Sequence, residues 1–587
     1  MRLWHFLSSI LIFISVTATT AFADDAKAFH RLLQEHWDRS QQEQIFFHMD
    51  PDAWRMNGKL PDVSPAGFAR RKAYNEQTLE RLAAIDPAAL PAEDHLSYRI
   101  FHYERQLEQA YYDTPEKYFP IARIYGYHTY FAHAPGNMSF LTREDYEKYL
   151  ISLADYPRYN REYMDLLQEA VDKGYTQPCV AMQNYETTIR QQIVDKAESS
   201  VFFDPFRQMP ATIPAAEQDE LRTRARKLIL DRVVPAYEAF YEFYTRTYIP
   251  NCRKDISIAS VPGGADYYRY AVRFFTTTDM TPKEIHKLGL NEVKRIRAEM
   301  EDVIHSVGFK GNLPEFLQYL RTEKRFYAES GEDLLEKVAL LIKRMDGKLP
   351  QLFGYLPRQP FTLRPIPEDV AEGSASAFYV PSSGDGTTPG IYYLNTSKLD
   401  SRPLYALEAL TYHEAMPGHH LQNAIAQEKD LPPFRRILNH SAFTEGWGLY
   451  AERLGLDAGL YQDPYNNFGR LSAEMFRACR LVVDTGMHAL SWSREQAIDF
   501  MTSNSGISVH DATAEIDRYI TWPAQALSYK IGELKIRELR GRAEQALGAG
   551  FDIRAFHDKL LENASMPLSL LEEEVMAWIK AQKTPRK

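Results

Sequence analysis

The stretch His413-Glu414-Ala415-Met416-Pro417-Gly418-His419-His420 places three imidazoles and one carboxylate in a single short segment. A helical metal site of the HExxH kind uses two histidines four residues apart, and the glutamate between them faces the metal-bound water. This stretch begins in the same way with His413 and Glu414, but Pro417 stands where the second histidine would be. The next imidazoles along the chain are those of His419 and His420.

A regular helix through this stretch would leave neither of those imidazoles beside His413. His419 would lie about 120° round the helix axis from His413, and His420 about 10 Å along the axis. Zinc–nitrogen bonds are only about 2.0–2.1 Å long. Pro417 cannot donate a hydrogen bond to the preceding turn, and Gly418 tolerates unusual backbone angles. We therefore predict a break at residues 415–418 that returns His419 to the side of His413, with His420 as the alternative second ligand.

A third ligand is expected from the segment Thr444-Glu445-Gly446-Trp447-Gly448-Leu449-Tyr450-Ala451-Glu452. A hydrolytic zinc centre has three protein ligands, an open position for water and a carboxylate base beside that water. Glu445 supplies a carboxylate at workable spacing. Glu452 lies two turns further along the same helix face, where we expect it to accept a hydrogen bond from an imidazole N–H. The sequence thus predicts zinc bound by His413, His419 and Glu445, with Glu414 as the general base.

Most of the remaining chain has helical periodicity, which covers residues 142–174, 217–246, 281–296, 331–346, 404–428, 445–456, 470–490, 511–540 and 568–581. The exception is 374–396, where two β-prone runs flank the turn residues Ser382 to Gly386. This pattern predicts a small hairpin or sheet directly before the metal-site helix. The predicted fold is mostly α. Two helical lobes, residues 24–260 with a lid and residues 261–587 with the zinc site, are expected around a deep substrate cleft.

The composition of the 587-residue chain narrows the classes of partner. Hydrophobic residues make up 44% of the chain, which is enough for a large core, and the 36 tyrosines and 31 phenylalanines suit an aromatic-lined cleft. The formal net charge is −10, with acidic and basic residues mixed throughout. Because there is no basic stripe of the kind that neutralises phosphates, no nucleic-acid partner is expected.

Residues 1–23 have the pattern of a signal peptide. Arg2 supplies a positive charge, an apolar run follows, and Ala21-Phe22-Ala23 matches a cleavage site. The run is too short to span a bilayer, so we expect a periplasmic or secreted protein with no stable membrane insertion after cleavage. A lipid anchor is not expected, because no cysteine lies near the cleavage site.

The chain has three cysteines, Cys179, Cys252 and Cys479. Cys179 and Cys252 follow loop-like, proline-containing runs, and an oxidising compartment permits them to pair. Cys479 lies in an amphipathic helical pattern and is expected to be a buried free thiol.

The run His413-Glu414-x-x-Pro417-Gly418-His419-His420-Leu421-Gln422, followed by Phe443-Thr444-Glu445-Gly446-Trp447, resembles a bacterial family catalogued as a domain of unknown function. That family is similar to the helical zinc peptidases of the angiotensin-converting-enzyme and thimet-oligopeptidase group. Val261-Pro262-Gly263-Gly264 and His286-Lys287-Leu288-Gly289-Leu290 belong to the same likeness, which extends over nearly all of the mature chain. The resemblance implies a helical lid from the N-terminal half that limits access to short peptides.

The resemblance also implies roles outside the zinc motif. The run Ser374-Ala375-Ser376-Ala377-Phe378 is similar to an edge strand that pairs with an extended substrate. His510 and Tyr519 match the region where those enzymes place two donors that stabilise the tetrahedral oxyanion. The Lys and Tyr with which converting enzymes hold a substrate C-terminal carboxylate correspond here to Ser508 and Ile516, which leaves Lys530 as a substitute. Dipeptidyl carboxypeptidase activity is therefore not implied.

The expected function is that of an exported zinc peptidase acting on short peptides, either oligopeptidase or carboxypeptidase-like. Two alternatives stay open. One is a non-catalytic helical protein that binds peptide or metal, and the other is a metal-dependent amidohydrolase that acts on a non-peptide amide. Measurement of zinc content and of hydrolysis of a mixed peptide pool distinguishes the first alternative from a zinc peptidase. Substrate profiling distinguishes the second.

Overall fold

The predicted helical character is present in a computed structural model, which describes residues 24–41, 58–138, 140–371, 375–382 and 388–583. The predicted signal peptide lies outside these residues. Among the described residues, no helix combines the length and the apolar character needed to cross a bilayer.

The helices of the first half of the chain are α1 (residues 24–41), α2 (Pro65–Ala83), α3 (Ala92–Tyr111), α4 (Tyr127–His133), α5 (Arg143–Lys173), α6 (Glu186–Arg190), α7 (Asp204–Arg207), α8 (Ala215–Leu228), α9 (Val234–Phe243), α10 (Gly264–Thr276) and α11 (Pro282–Ser306). Those of the second half are α12 (Leu313–Thr322), α13 (Gly331–Asp346), α14 (Leu349–Leu352), α15 (Glu368–Ala371), α16 (Leu404–Glu414), α17 (His419–Glu428), α18 (Pro433–Ile437), α19 (Ser441–Asp457), α20 (Pro464–Ala489), α21 (Arg494–Asn504), α22 (Val509–Thr521), α23 (Ser528–Leu547), α24 (Ile553–Leu561) and α25 (Leu568–Lys583). The strands are β1 (Ile121–Ala122), β2 (Tyr125–Gly126), β3 (Phe361–Pro365), β4 (Ala377–Val380) and β5 (Gly390–Leu394).

Helix starts that the sequence predicted are confirmed by their caps. Thr142 precedes α5 and forms a reciprocal capping box with Asp145. Thr281 precedes α11 and forms the same arrangement with Glu284, whose carboxylate accepts from the Thr281 amide at 2.8 Å. Each box satisfies backbone N–H groups that the first helical turn leaves without partners.

The helix predicted over residues 511–540 is interrupted, which corrects the sequence-based boundary. α22 ends at Thr521, and α23 begins at Ser528. Pro523 lacks the N–H that would continue the helical ladder. Ala524 has a left-handed φ of 69°, and its N–H instead donates to the carboxylate of Asp484 at 3.1 Å. The chain therefore turns between α22 and α23.

The small sheet contains the predicted hairpin and one additional strand. β4 and β5 pair antiparallel, with Ala377 opposite Leu394, and residues 383–387 of the predicted turn lie outside the described residues. β3, which sequence analysis missed, pairs parallel with β5. The strand order β3-β5-β4 leaves β4 at an edge of the sheet.

The metal-motif helices lie in the interior of the second half. α16 packs against α19 and α20, α19 runs along α23, and α11 runs along α20. The largest buried apolar cluster also includes Phe29 and Leu82 from the first helices, together with Trp447 and Leu539. Residues from both sides of position 260 thus share one core. The boundary at 260 and the deep cleft stay predictions.

A disulfide joins Cys179 to Cys252, and Cys479 is a buried free thiol, as the sequence predicted. The bridge closes a loop with a sequence separation of 73 residues. Beside it, the Cys179 amide donates to the Arg253 carbonyl at 2.9 Å. The covalent link therefore fixes the end of the segment that contains α6 to α9 against its beginning.

Reduction of this bridge is expected to lower the stability of the protein by about 2–4 kcal/mol, because the unfolded chain regains the entropy of a long loop. Urea unfolding with and without dithiothreitol measures the effect. The double variant Cys179→Ser/Cys252→Ser is the control. It should unfold like the reduced wild type, and dithiothreitol should not change its stability. A further loss of stability of this variant in dithiothreitol would show that the effect does not come from the bridge.

Candidate metal centre

The helix predicted over residues 404–428 breaks inside the metal motif, as expected. α16 ends at Glu414, and α17 begins at His419. Within the break, the Ala415 amide still donates to Thr411 at 2.9 Å, whereas the His420 amide reaches back to the Ala415 carbonyl at 3.2 Å. The peptide bond between Met416 and Pro417 is cis. The hydrogen bonds show that the regular i→i−4 ladder continues to Ala415 and is interrupted between Ala415 and His420.

Gly418 has unusual backbone angles in the break, as the sequence predicted, and close packing is a second reason for glycine there. Its φ is −79° and its ψ is −126°, a combination outside the helical and extended regions. A Cβ atom at this position would lie 1.9 Å from the carbonyl oxygen of His413 and 2.4 Å from that of Tyr412. The close return of the chain onto the end of α16 thus excludes any side chain. On the other side of the break, the buried indole of Trp447 donates to the Pro417 carbonyl at 2.9 Å.

The break brings His419 beside His413. The two imidazole rings are 4.7 Å apart and nearly perpendicular. Glu445, in the second turn of α19, lies between them, and its Oε2 is 3.5 Å from His413 Nε2 and 3.6 Å from His419 Nε2. One ligand atom from each of the three residues lies within 4.8 Å of the others. This is the set of residues that the sequence predicted as ligands.

A second carboxylate of α19, that of Glu452, holds the imidazole of His413. Its Nδ1 lies 2.8 Å from Glu452 Oε1, and both side chains are almost completely buried. This contact leaves Nε2 facing Glu445. Gly448 allows the arrangement, since a Cβ atom there would lie 2.7 Å from the imidazole ring of His413. His419 has no comparable support, because its Nδ1 has no hydrogen-bond partner among the described residues.

The charges of the cluster are coupled. Burial alone would lower the pKa of His413, but its contacts with the carboxylates of Glu445 and Glu452 raise the pKa to about 9. Burial alone would raise the pKa of Glu445, but the two imidazoles hold it well below its usual value. Glu445 is therefore ionised, which is the form in which a carboxylate binds a metal.

His420 points away from this cluster, toward the small sheet. Its Nδ1 lies 2.9 Å from the hydroxyl of Tyr379 in β4, and its Nε2 lies 3.1 Å from the carbonyl of Gln359. Burial lowers the pKa of His420 to about 4, although the bond to Gln359 opposes the shift. The side chain is thus a neutral structural contact, and the alternative in which His420 lies beside His413 and Glu445 is wrong.

Glu414 is buried next to His413 and is 8% exposed. None of the described residues forms a hydrogen bond or an ion pair with its carboxylate. This differs from Glu445 and Glu452, which both contact imidazoles. A carboxylate that no neighbour occupies is available to hold a water molecule or accept its proton.

His510 and Tyr519, predicted as oxyanion donors, have different surroundings. His510 is exposed in the first turn of α22. Tyr519 is fully buried, and its hydroxyl donates to Glu515 and accepts from Arg480 Nε at 2.7 Å. Burial raises the pKa of Tyr519 well above its usual value, so the hydroxyl keeps its proton. Their catalytic roles stay predictions.

Sequence analysis missed Tyr529, in the first turn of α23. Its ring packs against the guanidinium of Arg480 at 4.5 Å. Burial and the charge of Glu445 raise the pKa of Tyr529, and Arg480 and Arg518 oppose the shift. Tyr529 thus packs on a buried arginine, and its pKa responds to the charge of a candidate ligand. In the sequence, Tyr529 is marked only by its place in the run Ser528-Tyr529-Lys530-Ile531-Gly532, directly before the charged residue Lys530.

Lys530 is not available to hold a substrate, which corrects the substitution suggested by the sequence. It is 0% exposed. Its ammonium group donates to Glu474 at 2.7 Å and to Glu533 at 2.8 Å, and it lies 3.1 Å from Glu292. These contacts join α11, α20 and α23. All the donors of the group are used inside the fold.

A cavity of about 770 Å³ lies between α1–α3, α10 and α18. Its walls are rich in aromatic and acidic side chains, among them Phe68, Tyr74, Glu104, Tyr111, Tyr270 and Phe434. The metal-motif residues do not line it. Its wall is nevertheless tied to α19, because His440, directly before that helix, contacts Glu104 through Nε2 at 2.8 Å.

Comparisons with known proteins place the chain among bacterial proteins. No curated protein sequence matches it. A solved structure described as a candidate lipoprotein from Colwellia psychrerythraea has 27% sequence identity and a TM-score of 0.83, and the match covers 96% of this chain and 99% of that one. A candidate lipoprotein of unknown function from Shewanella oneidensis has the same fold, with 19% identity, a TM-score of 0.69 and coverage of 94% and 99%.

The family described as bacterial protein of unknown function (DUF885) matches residues 48–575. These residues include the break between α16 and α17, all three candidate ligands and both arginines near Tyr529. The match confirms the family predicted from the run around Pro417-Gly418. The chain therefore belongs to the DUF885 family of bacterial proteins.

Proposed function

We propose that the protein is a zinc-dependent peptidase that acts on short peptides outside the cytoplasm. The observation that carries this proposal is the convergence of His413, His419 and Glu445, whose ligand atoms lie within 4.8 Å of one another. Glu414, which has no partner among the described residues, lies next to them in the chain. Two imidazoles, one carboxylate and an adjacent free carboxylate are the residue types that hydrolytic zinc centres use.

The two distances from Glu445 to the imidazoles fit a tetrahedral metal. Two ligands with bonds of about 2.0–2.1 Å to the same tetrahedral ion lie about 3.3 Å apart. Both imidazole–carboxylate distances, 3.5 Å and 3.6 Å, are close to that value. The mixed nitrogen and oxygen donors favour zinc over magnesium or calcium, which prefer oxygen ligands alone.

In this proposal, zinc supplies a Lewis acid that makes a water molecule more acidic and polarises the carbonyl of the scissile amide. Glu414 takes the proton of that water and delivers it to the leaving amine. Glu452 keeps the imidazole of His413 oriented, with Nε2 toward the centre. Tyr519 and His510 are the donors proposed for the oxyanion by resemblance to converting enzymes. Tyr529 is a third candidate because the charge of Glu445 acts on its hydroxyl.

The proposal that the substrate is a peptide is supported by the small sheet. β4 is an edge strand, and Tyr379 within it bonds to His420, the residue that directly follows a candidate ligand. An edge strand offers unpaired backbone groups to an extended chain.

Three observations support action outside the cytoplasm. Residues 1–23 have the pattern of a signal peptide. The Cys179–Cys252 bridge is of a kind that persists in oxidising compartments. The similar structures from Colwellia and Shewanella are described as candidate lipoproteins, which are exported proteins.

The direct test measures the zinc content of the purified protein and the hydrolysis of a mixed peptide pool by mass spectrometry. One bound zinc per chain and cleavage that is lost on chelation are the expected results. Zinc without cleavage would indicate a binding protein. Cleavage of non-peptide amides alone would indicate an amidohydrolase.

Glu414→Gln is expected to remove nearly all hydrolysis, by at least about 10²-fold, because the general base is lost. Zinc should stay bound at the wild-type ratio, since the ligands are unchanged. Turnover and metal content of the same preparation measure both effects. Near wild-type turnover in this variant would show that Glu414 is not the base.

Glu445→Ala is expected to lose both metal and activity, because one of three protein ligands is removed. His420→Asn is the matched control: it changes the neighbouring histidine that faces the sheet, and it should keep its zinc. Metal content after dialysis against dilute chelator measures the difference. Normal zinc in Glu445→Ala, or loss of zinc only in His420→Asn, would contradict the ligand assignment.

Tyr519→Phe is expected to lower kcat by about 10²-fold with little change in KM, which is typical for the loss of one oxyanion donor. Tyr529→Phe, measured beside it, decides between the two phenols. If only the Tyr529 variant loses rate, the role passes to Tyr529. If the Tyr519 variant loses affinity but not rate, Tyr519 contributes only to substrate binding.

A further inference from the structure

Arg480 of α20 is buried, but its hydrogen bonds are incomplete. The residue is 6% exposed. Its Nε donates to Tyr519 at 2.7 Å, and its Nη2 donates to Glu515 at 3.1 Å. Its Nη1 is also buried and has no partner among the described residues. Such a donor is costly to leave unsatisfied, so its presence points to a ligand that completes it.

This arginine lies one helical turn from a residue that contacts the support of the candidate metal centre. One turn earlier on α20, the Nη2 of Arg477 lies 3.4 Å from Glu452, the carboxylate that holds His413. Residues three apart on a helix lie on the same face, so Arg480 projects from the same side of α20 as Arg477. The guanidinium of Arg480 also packs on the ring of Tyr529 at 4.5 Å.

The charges around Arg480 favour an anion. Arg480 and Arg518 share one carboxylate, that of Glu515, which accepts from Arg518 at 2.9 Å. The other nearby acid, Asp484, is occupied by the Tyr268 hydroxyl and the Ala524 amide. Burial raises the pKa of Asp484 to about 7, although those hydrogen bonds oppose the shift. Two guanidinium groups therefore face one fully ionised carboxylate.

The surroundings of Arg480 are only partly shielded from solvent. The side chain of Glu515 is 26% exposed, and Tyr529 is half-buried. Phe476, whose ring also packs on the Arg480 guanidinium at 4.3 Å, is half-buried as well.

We propose that Arg480 binds the C-terminal carboxylate of the peptide substrate. The proposal rests on the peptidase function proposed above and narrows it to peptides with a free C-terminus near the scissile bond. The planar guanidinium matches a carboxylate and offers Nη1 as a donor that the fold leaves free. Arg480 thus fills the role that Lys530 cannot, because Lys530 is used inside the fold.

The first experiment compares Arg480→Gln with wild type on a tetrapeptide library with free C-termini and on the same library with C-terminal amides. Wild type should prefer the free acids. In Arg480→Gln, KM for the free acids should rise about tenfold to a hundredfold, which corresponds to the loss of one charge-assisted contact. KM for the amides and zinc content should change little.

Two further variants separate binding from folding. Arg494→Gln is the matched control, because Arg494 also connects its helix to α22. Unlike Arg480, it forms both of these hydrogen bonds with one carboxylate, that of Asp517, at 2.7 Å and 3.0 Å. It should not alter the preference for free acids. Arg480→Lys keeps a positive charge but loses the planar fork, so it should fold even if Arg480→Gln does not, and it should lose part of the preference.

A second experiment works without turnover. Retention of the two libraries by Glu414→Gln is compared with retention by Glu414→Gln/Arg480→Gln. Preferential retention of free acids that disappears with Arg480 supports the carboxylate site even if wild type cleaves no peptide, in which case only the proposed function fails. Equal cleavage and equal retention of free acids and amides overturn the carboxylate site. An equal rise of KM on both libraries in Arg480→Gln also overturns it, since that pattern shows that Arg480 does not distinguish a terminal carboxylate from an amide.

Discussion

The candidate centre depends on the return of the chain between Glu414 and His419. A continuous helix would separate the two imidazoles by their angle round the axis, whereas the break sets the rings 4.7 Å apart. Gly418 makes the return possible because it has no Cβ atom. A Cβ at this position would overlap the His413 carbonyl. Trp447 fixes the return from outside through the Pro417 carbonyl. The ligand geometry is therefore a property of backbone packing before it is a property of side chains.

A single helix, α19, supports each part of this arrangement. It carries Glu445 between the imidazoles, Trp447 on the break and Glu452 behind His413. A shift of α19 along its axis would disturb all three contacts together. The arginines of α20 extend the same design, since Arg477 reaches Glu452 while Arg480 and Tyr529 form the neighbouring positive site. The candidate metal centre and the proposed anion site are thus held by the same helix packing.

Features set by local chemistry were predictable from the sequence. The caps at Thr142 and Thr281, the break at Pro417-Gly418 and the spacing of Glu445 and Glu452 all follow from residues close together in the chain. Features set by distant contacts were missed. β3 is defined by parallel pairing with β5, and the end of α22 by an acid on α20 that accepts from Ala524. Lys530 looked available in the sequence because its carboxylate partners come from α11 and α20 as well as from its own helix.

The two residues added between His413 and His419 also affect how this site is compared with others. A sequence alignment without a gap pairs the second histidine of an HExxH motif with Pro417, so the second ligand is scored as lost. A superposition of the imidazole rings pairs that histidine with His419, and the alignment then needs a gap within the motif. Searches that use a fixed motif spacing will overlook such centres. To find such sites, a search has to allow the number of residues between the two histidines to vary. It has to compare the positions of the imidazole rings in space.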